Sequence, residues 1–342
     1  MAKLKVGIIN VTGYAGVELA RLLYKHPKVK LSSITGRSTA GQKLADVFPH
    51  LAEIDMTITA ELGEVDLAFS AMPHKSSAEV IVPLIEQGVK VIDISADFRL
   101  KDADEYPKWY DFIHPAPKLL QKAVYGLPEI HRGEIAKANL VANPGCYPTG
   151  ALLALVPAVK EGLIHSDIIV DSKSGVSGAG RTLSLATHYT EAVDNVRAYS
   201  VQGHRHLPEI VQELEALTGL DPSVTFLPHL VPMSRGILSS CYAKLKEGKL
   251  GKKKDELIEC YRDYYKGEPF IRVVDMPPET KQTWGSNLCL VYPTVDANNG
   301  RLIVISCIDN LVKGAAGQAM QNMNIMLGFS ETDGLEALPV YP

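Results

Sequence analysis

Short apolar runs alternate with amphipathic stretches through the first hundred or so residues. Residues 4–9 (Leu-Lys-Val-Gly-Ile-Ile) form a compact apolar run of the kind buried in parallel sheets. Residues 17–24 follow with helical spacing, and His26-Pro27 closes them. Further strands are predicted at 29–35, 66–70 and 89–94, with a helix at 78–86 between the last two. This β-α-β order predicts a parallel sheet covered by helices, and right-handed crossovers make it doubly wound. After about Thr149 the texture changes. Runs at 167–173, 224–227, 238–246, 288–293 and 302–308 read as strands, several with period-two alternation. Helices are predicted at 208–217 and 254–264. Strict β-α alternation is lost, which points to an α+β second domain with a mixed or antiparallel sheet. A last amphipathic helix at 315–327 is expected to return to the first domain. The predicted division is 1–148 with 313–342 as one domain, and 149–312 as a second.

Composition narrows the class. A chain of 342 residues exceeds one ordinary core, in line with two domains. A net charge of −4 without a long basic tract argues against nucleic acid or an anionic membrane as partner. The basic run Lys252-Lys253-Lys254 is expected to begin a solvated helix face. No apolar stretch is long enough to span a bilayer. The chain enters its first strand directly, without a recognisable targeting segment, so a cytoplasmic location is expected. The five cysteines are scattered and lack CxxC spacing, which suggests neither a disulfide framework nor a metal site.

The first strand joins the first helix through Gly7-Ile8-Ile9-Asn10-Val11-Thr12-Gly13-Tyr14-Ala15-Gly16. Gly13 allows close approach of a pyrophosphate, Gly16 allows tight helix–strand packing, and Tyr14 and Ala15 lie where the helix N-terminus would face phosphates. A plain tight β-α turn would also use these glycines. The second strand ends in Ile34-Thr35-Gly36-Arg37-Ser38-Thr39. An NAD-binding domain usually places a carboxylate there. Arg37 and Ser38 suit a 2′-phosphate instead, so the expected cofactor is NADP.

The segment Asn143-Pro144-Gly145-Cys146-Tyr147-Pro148-Thr149 precedes an apolar helical run at 151–156. With Pro148 at the first helical position, Cys146 is expected just outside the helix N-terminus, where unpaired N–H groups favour a thiolate. A buried structural cysteine is the plainer alternative. In Gly203-His204-Arg205-His206-Leu207-Pro208-Glu209, the two histidines either supply a proton near Cys146 or pack against the helix that follows. Ser172-Lys173-Ser174-Gly175-Val176-Ser177-Gly178-Ala179-Gly180-Arg181 can wrap an anionic substrate, or it can be a solvent loop. The small residues of Lys313-Gly314-Ala315-Ala316-Gly317 permit close approach by a ligand or by backbone.

Taken in order, these motifs resemble the N-acetyl-gamma-glutamyl-phosphate reductase family of the semialdehyde dehydrogenase group. Asp97-Phe98-Arg99-Leu100, Tyr125-Gly126-Leu127-Pro128-Glu129, His229-Leu230-Val231-Pro232-Met233-Ser234-Arg235-Gly236 and Lys313-Gly314-Ala315-Ala316-Gly317-Gln318-Ala319 extend the match over nearly the whole chain. One departure stands at Asn10-Val11, where the family usually has small residues. The resemblance implies a Rossmann-type domain with an α+β catalytic domain in a homodimer or homotetramer. It implies an NADPH-dependent reduction, in arginine biosynthesis, of an acyl phosphate to an aldehyde. Cys146 would be the nucleophile, and His206, rather than His204, the acid/base. Asn143, Lys173, Ser177 and Arg181 are the expected substrate contacts, and Gly314 is an expected cofactor contact. Two relatives in chemistry stay open: aspartate-semialdehyde dehydrogenase, and a reductase of carrier-bound aminoadipyl phosphate in lysine biosynthesis.

Overall fold

The structure, a computed structural model, describes residues 3–219, 221–248 and 254–342. The chain divides into two compact units, Met1–Pro144 with Ala315–Ala337, and Gly145–Gly314 with Leu338–Pro342. The changeovers at 144/145 and 314/315 replace the expected 148/149 and 312/313. The reason is local: the helix Cys146–Lys160 belongs wholly to the second unit.

The first unit is built on six strands: β1 (Leu4–Ile9), β2 (Val29–Ile34), β3 (Leu67–Ser70), β4 (Lys90–Asp93), β5 (Val124–Tyr125) and β6 (Leu140–Ala142). They pair in the order β2-β1-β3-β4-β6-β5, all parallel. Val6, Ile8, Leu67, Phe69, Val91 and Ile92 are fully buried, as apolar strands covered on both faces must be. The helix Tyr14–Tyr24 begins three residues before the expected start. Asp97 caps the helix Ser77–Glu86, accepting the N–H groups of Ser77 and Ala78 at 3.0 Å each. Arg99 reaches Ile94 O at 2.9 Å and Asn143 O at 2.8 Å. The helix Gly317–Met326 docks on the bend at Gly126, whose carbonyl accepts Asn322 Nδ2 at 2.8 Å and Gln318 Nε2 at 3.1 Å. A Cβ on Gly126 would stand 2.7 Å from Val141 Cγ1, so that motif glycine serves packing.

The second unit carries a mixed sheet of seven strands: β7 (Ile164–Ser174), β8 (Arg197–Ala198), β9 (Ser223–Leu230), β10 (Ile237–Leu245), β11 (Ile271–Val273), β12 (Cys289–Asp296) and β13 (Arg301–Ile308). Their order is β11-β12-β13-β10-β7-β9-β8, with β7·β9 and β11·β12 parallel and the other pairs antiparallel. Alternation sorts the two faces. Val170, Ser172, Ser239, Cys241, Val304 and Ser306 are buried beneath the helix Cys146–Lys160. Ile169, Tyr242, Ile303 and Ile305 point the other way and keep partial exposure. The expected helix at 254–264 is present as Lys254–Tyr264, while Lys252 and Lys253 lie outside the described residues.

Candidate active site

In the first unit, the turn after β1 makes an anion-ready helix start. Gly13 is the N-cap of the helix Tyr14–Tyr24 and no side chain caps it. A Cβ on Gly16 would collide with Asn10 O at 2.6 Å and Val11 Cα at 2.8 Å, so the helix sits as close to the strand as glycine permits. A Cβ on Gly13 would meet nothing nearer than 3.9 Å, which leaves that side open to a ligand. Asn10 adopts φ 64°, a left-handed conformation that asparagine tolerates better than most residues. Its Nδ2 donates to Ala71 O at 2.8 Å. The departure from small residues is therefore accommodated by a bond that ties the turn to the end of β3.

Beside this turn lies a cleft of about 720 Å³, lined by Asn10, Gly36, Arg37 and Ser38 on its polar side and by Leu62, Met72, Pro73, Val80 and Leu84 on its apolar side. A cationic rim with an apolar wall fits the ribose-phosphate and purine of a dinucleotide. The apolar wall was not legible in the sequence, because its residues come from three separate loops and helices. Glu61 also lines the cleft, but from a different segment than the β2 end.

In the second unit, Cys146 is half-buried and is the first residue of a 15-residue helix, not a residue outside it. Gly145 is the N-cap. Pro148 therefore stands third in the helix, still among the first four positions whose N–H has no intrahelical partner. Gly145 is held from both sides. Its N–H donates to Glu209 Oε1 at 2.6 Å, and its carbonyl accepts Thr149 N at 3.0 Å and Thr149 Oγ1 at 2.9 Å. Gly314 packs directly on Cys146: a Cβ there would lie 2.8 Å from Cys146 Cβ. The structure thus gives Gly314 a contact with Cys146, where a cofactor contact was expected. It sits in a π-helical turn, Val312–Ala316, a distortion frequent at functional sites.

The remaining cysteines are poorer nucleophiles. Burial pushes the Cys241 and Cys307 thiols up to about 12, and burial with Glu161 and Asp263 raises Cys260. Cys289 is fully buried.

The two histidines separate in role. His204 Nδ1 accepts the His206 N–H at 3.1 Å, so that nitrogen carries no proton. Its ring is enclosed by Tyr147, Tyr199 and Phe226, with centroids 5.7, 5.5 and 5.3 Å away. Burial, and then Arg205, hold the His204 imidazole down at about 4. It is neutral at physiological pH and braces the segment. His206 is the N-cap of the helix Leu207–Thr218, 4.8 Å from the His204 ring centroid and 5.9 Å from that of Tyr147. Tyr199, which the sequence reading missed, donates to Tyr147 Oη at 3.0 Å. Burial holds the Tyr199 phenol up at about 12, with the Cys146 thiol adding to the rise and Arg205 opposing it. Glu209 was quoted within a motif but given no role.

The expected substrate contacts scatter. Asn143 is fully buried in the first unit, with Nδ2 on Ala315 O at 3.1 Å and Oδ1 accepting Asn322 Nδ2 at 3.1 Å, which is the position of a strut. Lys173 pairs with Asp171 at 2.8 Å, on the sheet face opposite the helix Cys146–Lys160, and Asp171 also meets His229 Nδ1 at 3.1 Å. Ser177 Oγ accepts Asn310 Nδ2 at 2.9 Å, and Asn310 Oδ1 in turn accepts Gly236 N at 2.8 Å. Arg181 is exposed on the loop that follows.

With its parallel nucleotide-type unit and its mixed-sheet unit, the chain is a member of the semialdehyde dehydrogenase group. Family models for that group match the chain, one described as the NAD binding domain at residues 5–138 and one as the dimerisation domain at 146–310. The chain belongs to the N-acetyl-gamma-glutamyl-phosphate reductase family, and it is an NAD(P)-dependent oxidoreductase. Its relatives of that name include proteins from Dehalococcoides mccartyi strain CBDB1, 61% identical with 100% of both chains covered, and Heliobacterium modesticaldum, 48% identical over 99% of this chain and 100% of the other. Solved structures share the fold at lower identity. Aspartate semialdehyde dehydrogenase II of Vibrio cholerae has a TM-score of 0.71 at 20% identity, covering 96% of this chain and 99% of that one. Aspartate semialdehyde dehydrogenase with NADP from Candida albicans has a TM-score of 0.70 at 16% identity, covering 95% of this chain and 99% of that one. No helix among the described residues is long and apolar enough to cross a membrane.

Proposed function

We propose that this chain reduces N-acetyl-gamma-glutamyl phosphate to N-acetylglutamate 5-semialdehyde and phosphate, with NADPH as the reductant. The reading belongs to arginine biosynthesis and to a cytoplasmic setting. The observation that carries it is the half-exposed Cys146 at the head of an uncapped helix, its turn fastened by Glu209, in a chain whose full-length relatives bear that activity's name. The same names favour this substrate over aspartate semialdehyde or a carrier-bound aminoadipyl phosphate.

The Cys146 thiolate attacks the acyl carbon, the carbon–oxygen bond to phosphate breaks, and phosphate leaves with that bond's electron pair. The resulting thioester is poorly resonance-stabilised. Bound NADPH supplies the hydride that this carbon accepts. The first-turn N–H groups of the helix Cys146–Lys160 favour the negative oxygen that develops next to Cys146. His206 donates a proton to that oxygen and takes it back as the carbon–sulfur bond breaks, which releases aldehyde and returns the thiolate. Arg37 and Ser38, with no carboxylate at the end of β2, support NADP over NAD. Gly13, Tyr14, Ala15 and Gly16 would hold the pyrophosphate. A homodimer or homotetramer is supported by the partly exposed apolar outer face of the seven-stranded sheet, and by exposed Leu183, Leu185, Tyr189, Val196 and Val201 in the segment before His204.

The test runs the reaction backwards, as phosphate-dependent reduction of NADP⁺ by N-acetylglutamate semialdehyde, aspartate semialdehyde or a carrier-linked aminoadipate semialdehyde. Activity is expected with the first alone, abolished in Cys146→Ser with NADPH binding retained, and shifted toward NAD⁺ in Arg37→Ala. Preference for either other aldehyde, or turnover by Cys146→Ser, would overturn the reading.

A further inference from the structure

Nucleophile and acid lie sixty residues apart in the chain, yet the reaction requires them to act on one carbon. A hydrogen bond spans that gap. Glu209 is fully buried, and its Oε1 accepts the N–H of Gly145, the N-cap immediately before Cys146, at 2.6 Å. Glu209 is also the third residue of the helix Leu207–Thr218, whose N-cap is His206. Positions three apart on a helix share a face, so the carboxylate that grips the Cys146 turn and the His206 side chain rise from one first turn. On the far side of the Gly145 Cα, the carbonyl of the next peptide accepts both the N–H and the hydroxyl of Thr149, so the two peptides that flank Gly145 are each hydrogen-bonded.

We propose that Glu209 is a positioning residue that sets the register between Cys146 and His206. The proposal rests on the reading of Cys146 as nucleophile and His206 as acid, but not on the identity of the acyl phosphate. It also accounts for the sequence spacing: a histidine at an N-cap with glutamate three residues on is one rigid unit, and the bond to Gly145 docks the nucleophile onto it. A glutamate that serves folding alone would weaken the unit equally whichever residue stood at 206.

The measurement is the rate at which iodoacetamide alkylates Cys146 at pH 7, followed by mass spectrometry of the Cys146 peptide, in the full chain and its variants. Glu209→Ala is expected to slow that rate by about tenfold or more, and turnover by about a hundredfold with KM nearly unchanged, as misplacement of reacting groups does. Glu209→Gln keeps an acceptor oxygen at the same reach and should recover the alkylation rate to within about threefold of the parent. The decisive arm is the cycle with His206→Asn: in that background Glu209→Ala should change the rate by less than about twofold, since the register it holds no longer matters. Glu209→Asp withdraws the acceptor by one methylene and carries the same expectation should the alanine variant not fold. Equal slowing in both backgrounds, or a parent-like rate in both Glu209→Ala and Glu209→Asp, overturns the proposal. Absence of turnover with N-acetylglutamate semialdehyde, alongside the predicted alkylation pattern, would instead count against the substrate assignment alone.

Discussion

His204 and His206 are two residues apart, yet the structure gives them different chemistry. His204 uses Nδ1 to accept a backbone N–H and is buried among aromatic rings, so it resists protonation down to about pH 4. His204→Asn keeps an acceptor oxygen close to where Nδ1 stands, and should therefore hold turnover within about tenfold. His206→Asn should lose about 10² to 10⁴ in rate. Stability offers a second readout with a definite sign. The His204 pKa is lower in the fold than its ordinary 6.5, so the unfolded chain takes up the proton first as pH falls. The stabilisation is complete above about pH 6.5 and drains away toward pH 4, by about 3 kcal/mol in all. His204→Asn should flatten that slope in pH-dependent thermal unfolding. A steep loss retained by the variant would place the titration elsewhere.

At the scale of elements, the helix Cys146–Lys160 shows why a proline can stand inside it. Pro157 has no N–H, so the carbonyl of Leu153 four residues back loses its intrahelical donor. Tyr265, just beyond the helix Lys254–Tyr264, donates its hydroxyl to that carbonyl at 2.5 Å, and Tyr261 does the same to Ala154 O at 2.8 Å. Tyr265→Phe removes the donor while keeping the ring, and should lower the stability of the second unit by about 1–3 kcal/mol in urea unfolding, the cost of an orphaned buried carbonyl. An unchanged midpoint would mean the carbonyl finds another donor. The same logic marks what could be read from the sequence. The Gly13–Gly16 turn and the cysteine turn were legible because their constraint is local: each demands particular residues within one turn. The ion pair of Lys173 was not drawn from the sequence, although Asp171, two residues before it, shares its strand face. Glu209, Tyr199 and the contact of Gly314 with Cys146 were not legible, because each depends on a tertiary meeting that no spacing records.

For the molecule as a whole, the seven-stranded sheet carries a consequence of its own parity. One face is closed by the helix Cys146–Lys160, whereas the other presents Ile169, Tyr242, Ile303 and Ile305 in adjacent register across β7, β10 and β13. Toward β12 this outer face is covered near Cys307, which is fully buried and donates to Pro278 O at 3.5 Å. Away from that edge the apolar row stays partly exposed, and contiguous patches of this kind mark association surfaces. A second copy of this chain is the proposed occupant, in keeping with the dimerisation domain that the family model names. Ile303 sits at the middle of the row, paired with Tyr242 and Thr294. Ile303→Lys would bury an unpaired ammonium in such an interface at a cost of about 3–5 kcal/mol, enough to shift a dimer toward monomer at micromolar concentration. Light scattering after size exclusion should show the parent at a multiple of 37.2 kDa and the variant at that mass or in exchange with it. Ile113→Lys, at an 86%-exposed position in the first unit, should leave the mass as it was. A monomeric parent, or an Ile303→Lys variant with the parent's mass, would show that this face is not where copies meet.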